Sequence, residues 1–366
     1  MAKISLAVKY RPKDWDSLVE QSYIKTILEN QIKTDTIKNA YLFCGGAGTG
    51  KTTTARIFAN KINNNEGNPV EIDAASNNGV EQIRTIIDDA KFKPLDSKYK
   101  VYILDEVHML SQGSWNALLK LLEEPPKTTV FIMATTDPQK IPATILSRVQ
   151  RYDFSKISQQ GIVDRLKYII ECENNEYLDK VDDGEIEAVN SFIVGDDGVK
   201  YKHPFKIVFE QEALDYISKV ASGGMRDAIS MLDKCLSFDT NLTVNNVVNA
   251  LGISDYEKLD ELLCSILSEN ANNSLSIIEN VYMSGKDLKQ FVKQEIQFIL
   301  DVCKYLICNG YDYIQIPNTI NLNKYMHFDY DNILKVLDKF IKLNNQIKYE
   351  TNPKMLIESE LLLIIG

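Results

Sequence analysis

Between residues 40 and 154 the chain alternates short β-branched and aromatic runs with longer stretches of helical periodicity. The runs are AYLF at 40–43, PVEI at 69–72, KVYIL at 100–104, TVFIMA at 129–134 and QRYDF at 150–154. Between them Val80, Ile83, Ile86, Ile87 and Ala90 keep the spacing of one helix face, as do Trp115, Leu118, Leu119 and Leu122. Pro125 and Pro126 stop the second of these helices. Such alternation predicts a mostly parallel five-stranded sheet with helices on both faces.

From about Ser155 the strands give way to helical spacing, at Leu214, Ile217 and Val220, then at Ala228, Met231 and Leu232. This predicts a small helical domain. Residues 173–209 inside it are polar at first and then carry two β-rich runs around GDDG, which reads as a hairpin insertion. Helical stripes resume at Leu259, Leu262, Leu263, Ile266 and Leu267, at Leu288, Phe291, Val292, Ile296 and Ile299, and at Ile333, Val336, Leu337, Phe340 and Ile341. They read most simply as the core of a third, all-helical domain, with a subunit interface as the alternative. The predicted divisions are 1–156, 157–240 and 241–366.

Composition narrows the class. With 366 residues, 44% hydrophobic and 25% charged, the chain is too apolar to be disordered and long enough for two or three domains. No uncharged apolar run reaches the ~18 residues of a membrane span, and charge interrupts MAKISLAVKYRP before a signal-peptide core forms. A cytoplasmic protein with no membrane partner is expected. Cys44, Cys172, Cys235, Cys264, Cys303 and Cys308 are scattered without a C-x-x-C pair, and His108, His203 and His327 lie far apart, so free thiols and no zinc are expected. A formal charge of −10 argues against coating nucleic acid unaided, though a basic inner surface is compatible with an acidic outside.

The candidate chemistry begins with GGAGTGKT, Gly45 to Thr52, which fits G-x-x-x-x-G-K-[ST], follows AYLFC and opens TTTARIFANKI. Glycines let backbone N–H groups close around phosphates, Lys51 neutralises their oxygens, and the Thr52 hydroxyl holds Mg²⁺. A purely structural glycine turn is the alternative, and the strand, loop and helix in sequence speak against it. VYILDEVHM then ends an apolar strand in two carboxylates. Asp105 suits Mg²⁺ binding through water, and Glu106 suits orienting and deprotonating a water. A solvated acidic strand end is the bland reading, and it loses ground beside the glycine loop. His108 reads as structural. In VFIMATTD, Thr136 is favoured over Thr135 as the hydroxyl that senses phosphate or holds the water.

KYRPKDWDSLVEQ, GGAGTGKTTTARIFA, EIDAASNNGVEQIR, YILDEVHMLSQGSWNALLKLLEEPP, ATTDPQKIPATILSR and ASGGMRDAISMLDK together resemble the gamma or tau ATPase subunit of bacterial replicative clamp loaders, in the AAA+ class. The likeness is close over 4–156 and 212–236, while the last part agrees in position and helical character. It implies an α/β P-loop AAA+ domain, a helical lid and an all-helical collar that oligomerises. It further implies ATP and Mg²⁺ as cofactors. The implied partners are other clamp-loader subunits and copies of the chain in a ring, a sliding clamp and primer–template DNA. ATP binding would open and load the clamp, and hydrolysis would release it.

By the same resemblance, Tyr10, Arg11 and Pro12, with Val19 nearby, line an adenine pocket, and Gly45, Gly46, Ala47, Gly48, Thr49, Gly50, Lys51, Thr52 and Thr53 hold the phosphates. Arg148, in ILSR with Ser147, matches an arginine that reaches the neighbouring subunit's ATP. Arg226 in GGMRDA matches a lid arginine that reaches the γ-phosphate of its own subunit, whereas the residues alone favour a helix-surface ion pair with Asp227 or Asp233. Ser76, Asn77 and Asn78, opening a helix, and Arg84 beyond them are DNA candidates, an ordinary capped helix being the alternative.

There are departures from the family. NKINNNEGNPVEIDAAS lacks the four zinc-binding cysteines usual there, and Val149 replaces a cysteine after Ser-Arg. The insertion is unfamiliar, and a chain without the extension of tau forms is expected. Richness in Asn, Ile and Lys suggests an AT-rich genome, bacterial or phage. Two other readings stand beside a clamp-loader ATPase. One is an AAA+ remodeller such as a helicase loader or branch-migration motor, which would not share ATTDPQKIPATILSR. The other is a structural, non-hydrolysing clamp-loader subunit, which would lack Lys51 or Glu106.

Overall fold

The five predicted strands pair into one parallel sheet in the computed structural model, which describes residues 4–182, 193–194, 200–201, 206–251, 256–308, 310, 314, 316 and 320–365. They are β1 (Ala40–Gly45), β2 (Val70–Asp73), β3 (Lys100–Asp105), β4 (Thr129–Thr135) and β5 (Gln150–Phe154), in the order β2-β3-β4-β1-β5. Every residue of β4, in the middle, is buried, whereas β2 at the edge is largely exposed.

The chain enters through α1 (Leu6–Lys9), and helices then cover both faces of the sheet. Tyr41, Phe43, Ile103, Ile132 and Phe154 pack with α2 (Ser22–Lys33) and α3 (Lys51–Ile62). The alternate residues Leu42, Tyr102, Leu104, Phe131 and Met133 pack on the other side with α4 (Val80–Ala90) and α5 (Gln112–Glu123). Two covered faces explain why AYLF and TVFIMA read as continuous apolar runs rather than alternating ones. α5 stops at Glu123, ahead of Pro125 and Pro126, as those prolines require.

After α6 (Ala143–Leu146) and β5 come α7 (Gln159–Asp182), α8 (Gln211–Val220) and α9 (Met225–Phe238). α7 runs on to Asp182, so the start of the segment read as a polar insertion is helix. No Gly or Pro interrupts it before Gly184, although several of its residues are only moderate helix formers. Asn174 on this helix brackets Ile207, accepting its N–H at 2.6 Å and donating to its carbonyl at 3.1 Å. Ile193–Val194 pairs antiparallel with Lys200–Tyr201, as a hairpin requires, and the GDDG turn lies outside the described residues.

Two compact units divide the chain, Met1–Ile207 with Ile217–Thr240, and Val208–Tyr216 with Asn241–Gly366. The sequence boundary near 156 falls inside the first. The second holds α10 (Val244–Leu251), α11 (Tyr256–Leu267), α12 (Ala271–Met283), α13 (Leu288–Cys308), α14 (Tyr330–Gln346) and α15 (Pro353–Ile365). The stripes on α11, α13 and α14 bury Leu262, Leu263, Phe291, Val292, Ile299, Ile333 and Phe340 in one cluster. Ile341 departs from the reading and is 44% exposed. Among the described residues no helix is long and apolar enough to cross a membrane.

Candidate nucleotide site

β1 delivers Gly45 to the carboxyl end of the sheet, where the chain turns into α3. That turn needs glycine at two places. Gly48 and Gly50 have φ of +70° and +97°, and a Cβ on Gly48 would lie 3.0 Å from the Gly224 Cα. None of Gly46 to Gly50 donates its backbone N–H to another group among the described residues. Those free donors, together with the amino end of α3, fit a polyphosphate.

Lys51 is buried and folds its ammonium back onto the loop, donating to the carbonyls of Gly45 at 2.9 Å and Gly46 at 2.8 Å. Burial lowers its pKa, and Glu106 and Asp105 act in the opposite direction. Thr52 donates its hydroxyl to Asp105 Oδ2 at 2.6 Å, joining the start of α3 to the end of β3. Asp105 Oδ1 accepts the Glu106 N–H at 3.0 Å. Glu106 has φ of +48°, a left-handed conformation unfavourable for a side-chain residue, which points to a functional constraint.

The Glu106 carboxylate meets the end of β4. Its Oε2 accepts the Thr136 hydroxyl at 3.0 Å and the Thr136 N–H at 3.2 Å, with His108 Nδ1 3.2 Å away. Thr135 is buried and turns instead to His108 Nδ1, at 3.1 Å, while accepting the Asp137 N–H. Thr136 is therefore the threonine brought to Glu106. His108, read as structural, sits in direct contact with that glutamate.

α9 meets the glycine loop at its amino end, where Met225 N–H donates to the Gly48 carbonyl at 3.0 Å. Arg226 follows, exposed and without an ion pair among the described residues. The alternative partner Asp233 instead accepts the Leu6 N–H at 3.1 Å. Tyr10 turns its hydroxyl to Glu173 on α7, at 2.8 Å, and its carbonyl accepts from Arg165. Pro12 and Val19 are half-buried nearby in sequence. Arg11 has its pKa lowered by burial first, then by Arg56 and Arg226, against Glu71 and Asp105.

Three residues here escaped the sequence reading. Arg56 on α3 donates to Glu71 of β2 at 2.5 Å, and its buried Nε has no partner among the described residues. Gln21 is buried and donates to the Ser155 carbonyl at 2.8 Å and towards Thr49 O at 3.5 Å, tying the loop to the exit of β5. Leu18 Cδ1 lies 3.6 Å from where a Cβ on Gly50 would sit. An arginine on the outward face of the glycine-loop helix was the one available signal.

Arg148 is elsewhere. It precedes Gln150, which pairs with Tyr41, whereas Gly45 pairs with Phe154. At about 3.3 Å per strand residue, Tyr41 and Gly45 are about 13 Å apart along the sheet, so Arg148 stands at the opposite end from its own glycine loop. Ser76 and Asn77 fold back onto the end of β2, ahead of the Gly79 N-cap of α4. Asp73 accepts from Ser76 Oγ and from Asn77, and the Asn78 carbonyl accepts from Ser114 Oγ. Arg84 pairs with Glu81 at 2.8 Å on the surface. Among the described residues no group of three or more His, Cys, Asp or Glu is placed to hold a metal.

A parallel sheet of this order, with a glycine loop after β1 and paired carboxylates after β3, is the P-loop fold of the AAA+ class. The description "DNA polymerase III, delta subunit" matches residues 72–158, and "DNA polymerase III clamp loader subunit, ATPase lid domain" matches 205–240. DNA polymerase III subunit gamma of Buchnera aphidicola subsp. Schizaphis graminum is 31% identical over 316 residues, 80% of this chain and 78% of that protein. Subunit tau of Bacillus subtilis is 32% identical over 376 residues, 95% of this chain and 61% of that protein. Subunit tau/gamma of Haemophilus influenzae is 35% identical over 304 residues, 77% of this chain and 40% of that protein. The chain belongs to the bacterial DNA polymerase III gamma/tau family, and it spans less than two thirds of the length of two of these relatives. The Holliday junction branch migration motor RuvB of Thermotoga maritima shares the fold, with a TM-score of 0.50 over 70% of this chain and 79% of that one at 17% identity.

Proposed function

We propose that this chain is the ATP-hydrolysing subunit of a replicative clamp loader, which uses ATP binding to open a sliding clamp on primer–template DNA and hydrolysis to let both go. The observation that carries the reading is the separation of its parts. Lys51, Thr52, Asp105, Glu106 and Thr136 gather at one end of the sheet, while Arg148 stands at the other. A complete site then needs two subunits, which is what a ring-shaped loader supplies. Membership of the gamma/tau family supports the choice of clamp and primed DNA as partners.

The chain's residues divide the work. The N–H groups of Gly46 to Gly50 and Lys51 would hold phosphates, the Thr52 hydroxyl and, through water, Asp105 would hold Mg²⁺, and Arg226 would reach in from α9. Bound ATP with Mg²⁺ supplies the phosphoryl bond that is hydrolysed. Glu106 takes the proton of the attacking water. Its Oε2 is occupied by Thr136 and His108, which leaves Oε1 for that task. Arg148 acts in trans, meeting charge that develops on a neighbour's phosphoryl group.

Arg148→Ala tests this. In the assembled complex with clamp and primed DNA, turnover is expected to drop by roughly 10³-fold or more, while ATP affinity of the isolated chain stays within about twofold of wild type. Equal loss of binding and turnover would sink the assignment.

A further inference from the structure

Arg148 is held by its own chain. Its Nη1 donates to the Thr144 carbonyl at 2.7 Å and to Ser147 Oγ at 3.1 Å, and its Nη2 donates to Glu123 Oε1 at 2.8 Å. Both supports are anchored. Glu123 ends α5 directly after buried Leu121 and Leu122, with Pro125 and Pro126 stiffening the chain beyond, and Thr144 lies on α6 beside fully buried Ile145. Glu124, next to Glu123, makes no contact with the guanidinium among the described residues.

We propose that Glu123 is a positioning residue that holds the Arg148 guanidinium in reserve and yields it when a neighbouring subunit's nucleotide is seated. The inference rests on the trans reading of Arg148. A guanidinium paired with a carboxylate presents no net charge to a phosphoryl group, and electrostatic stabilisation of that group needs an uncompensated cation. The pair must therefore open for Arg148 to act. It is built to open easily. Arg148 is 34% exposed and Glu123 51%, so solvent screens the pair, and a polyphosphate offers the fork more negative charge and more acceptor oxygens than one carboxylate.

The surroundings favour release towards a polyanion. Arg148 borders a cavity of about 420 Å³ at the amino ends of β1 and β5, with Leu122, Pro125 and Ser147 among its lining. Lys38, also on its rim, is exposed and has no ion pair among the described residues. A phosphate brought to this rim meets one free cation and one that is lightly held. Glu123 then sets how much hydrolysis waits for the neighbour's site to be properly closed.

Glu123→Gln keeps the shape and removes the charge. In the assembled complex at saturating ATP, its idle hydrolysis without clamp or DNA is expected to rise about two- to five-fold, the scale of a surface ion pair. The rate with clamp and primed DNA should stay within about twofold of wild type, so that the stimulation ratio falls. The KM for ATP should not move, because the glycine loop is at the other end of the sheet, and Glu123→Gln should add nothing in an Arg148→Ala background. An idle rate that is unchanged or lower overturns the role of Glu123. Arg148→Ala read in parallel separates the two claims: wild-type turnover in that variant removes the trans reading, whereas lost turnover with a neutral Glu123→Gln removes only the inference about Glu123.

Discussion

Glu106 gathers the most constraint of any single residue in the site. It holds φ of +48° and keeps one carboxylate oxygen against both the N–H and the hydroxyl of Thr136. Glu106→Gln preserves shape and loses the base, so single-turnover hydrolysis is expected to slow by about 10² to 10⁴ while nucleotide affinity is kept. Hydrolysis at the wild-type rate would assign the proton transfer elsewhere. Lys51, Thr52, Asp105 and Glu106 were legible in the sequence because a glycine loop between strand and helix, and acids ending an apolar strand, are local patterns with local reasons. Gln21 was not, because its partner Ser155 is 134 positions away and no periodicity encodes that contact. Leu18 and Arg56 were missed on the same ground.

Elements were read well where burial is two-sided or one stripe is apolar. All five strands were found, since their runs are short and rich in β-branched and aromatic residues, and β1, β3 and β4 are buried almost throughout. α12 and α15 were not singled out: α12 buries the small Ser274 among its apolar residues, and α15 carries exposed Leu362 and Leu363 beside buried Leu361. α13 carries a different surprise. Glu295 lies fully buried in it, and neither carboxylate oxygen has a hydrogen-bond partner among the described residues. Burial pushes its pKa well above the ordinary carboxyl value, with Asp260 acting in the same sense. The folded form thus holds the proton more tightly than the unfolded chain. That stabilisation is complete below the ordinary carboxyl value and is lost as pH rises towards the folded one. Glu295→Gln is expected to raise Tm at about pH 8 by a few degrees, each 1 kcal/mol being about 2–4 °C, and to flatten the fall in Tm from about pH 5 upward. A lowered Tm, or an unchanged slope, would mean that Glu295 is ionised in the fold.

At the scale of the whole molecule, the register of β1 against β5 matters more than any one contact. It sets the glycine loop and Arg148 at opposite ends of one sheet, so that in the proposed ring a head-to-tail contact between copies would join one end to the other. The acidic total of −10 was readable from composition, and so was the arginine. Which end of the sheet that arginine occupies required the strand pairing.

Mixing two inactive variants tests the central claim most directly. Lys51→Ala keeps Arg148 but loses phosphate binding, and Arg148→Ala keeps the nucleotide site but offers no finger. Each alone is expected to be nearly inactive in ATP hydrolysis. Assembled together in equal amounts, they should recover roughly a quarter of wild-type turnover, the share of neighbouring pairs in which an intact nucleotide site faces an intact Arg148. A mixture no more active than its two components would contradict a site shared between subunits.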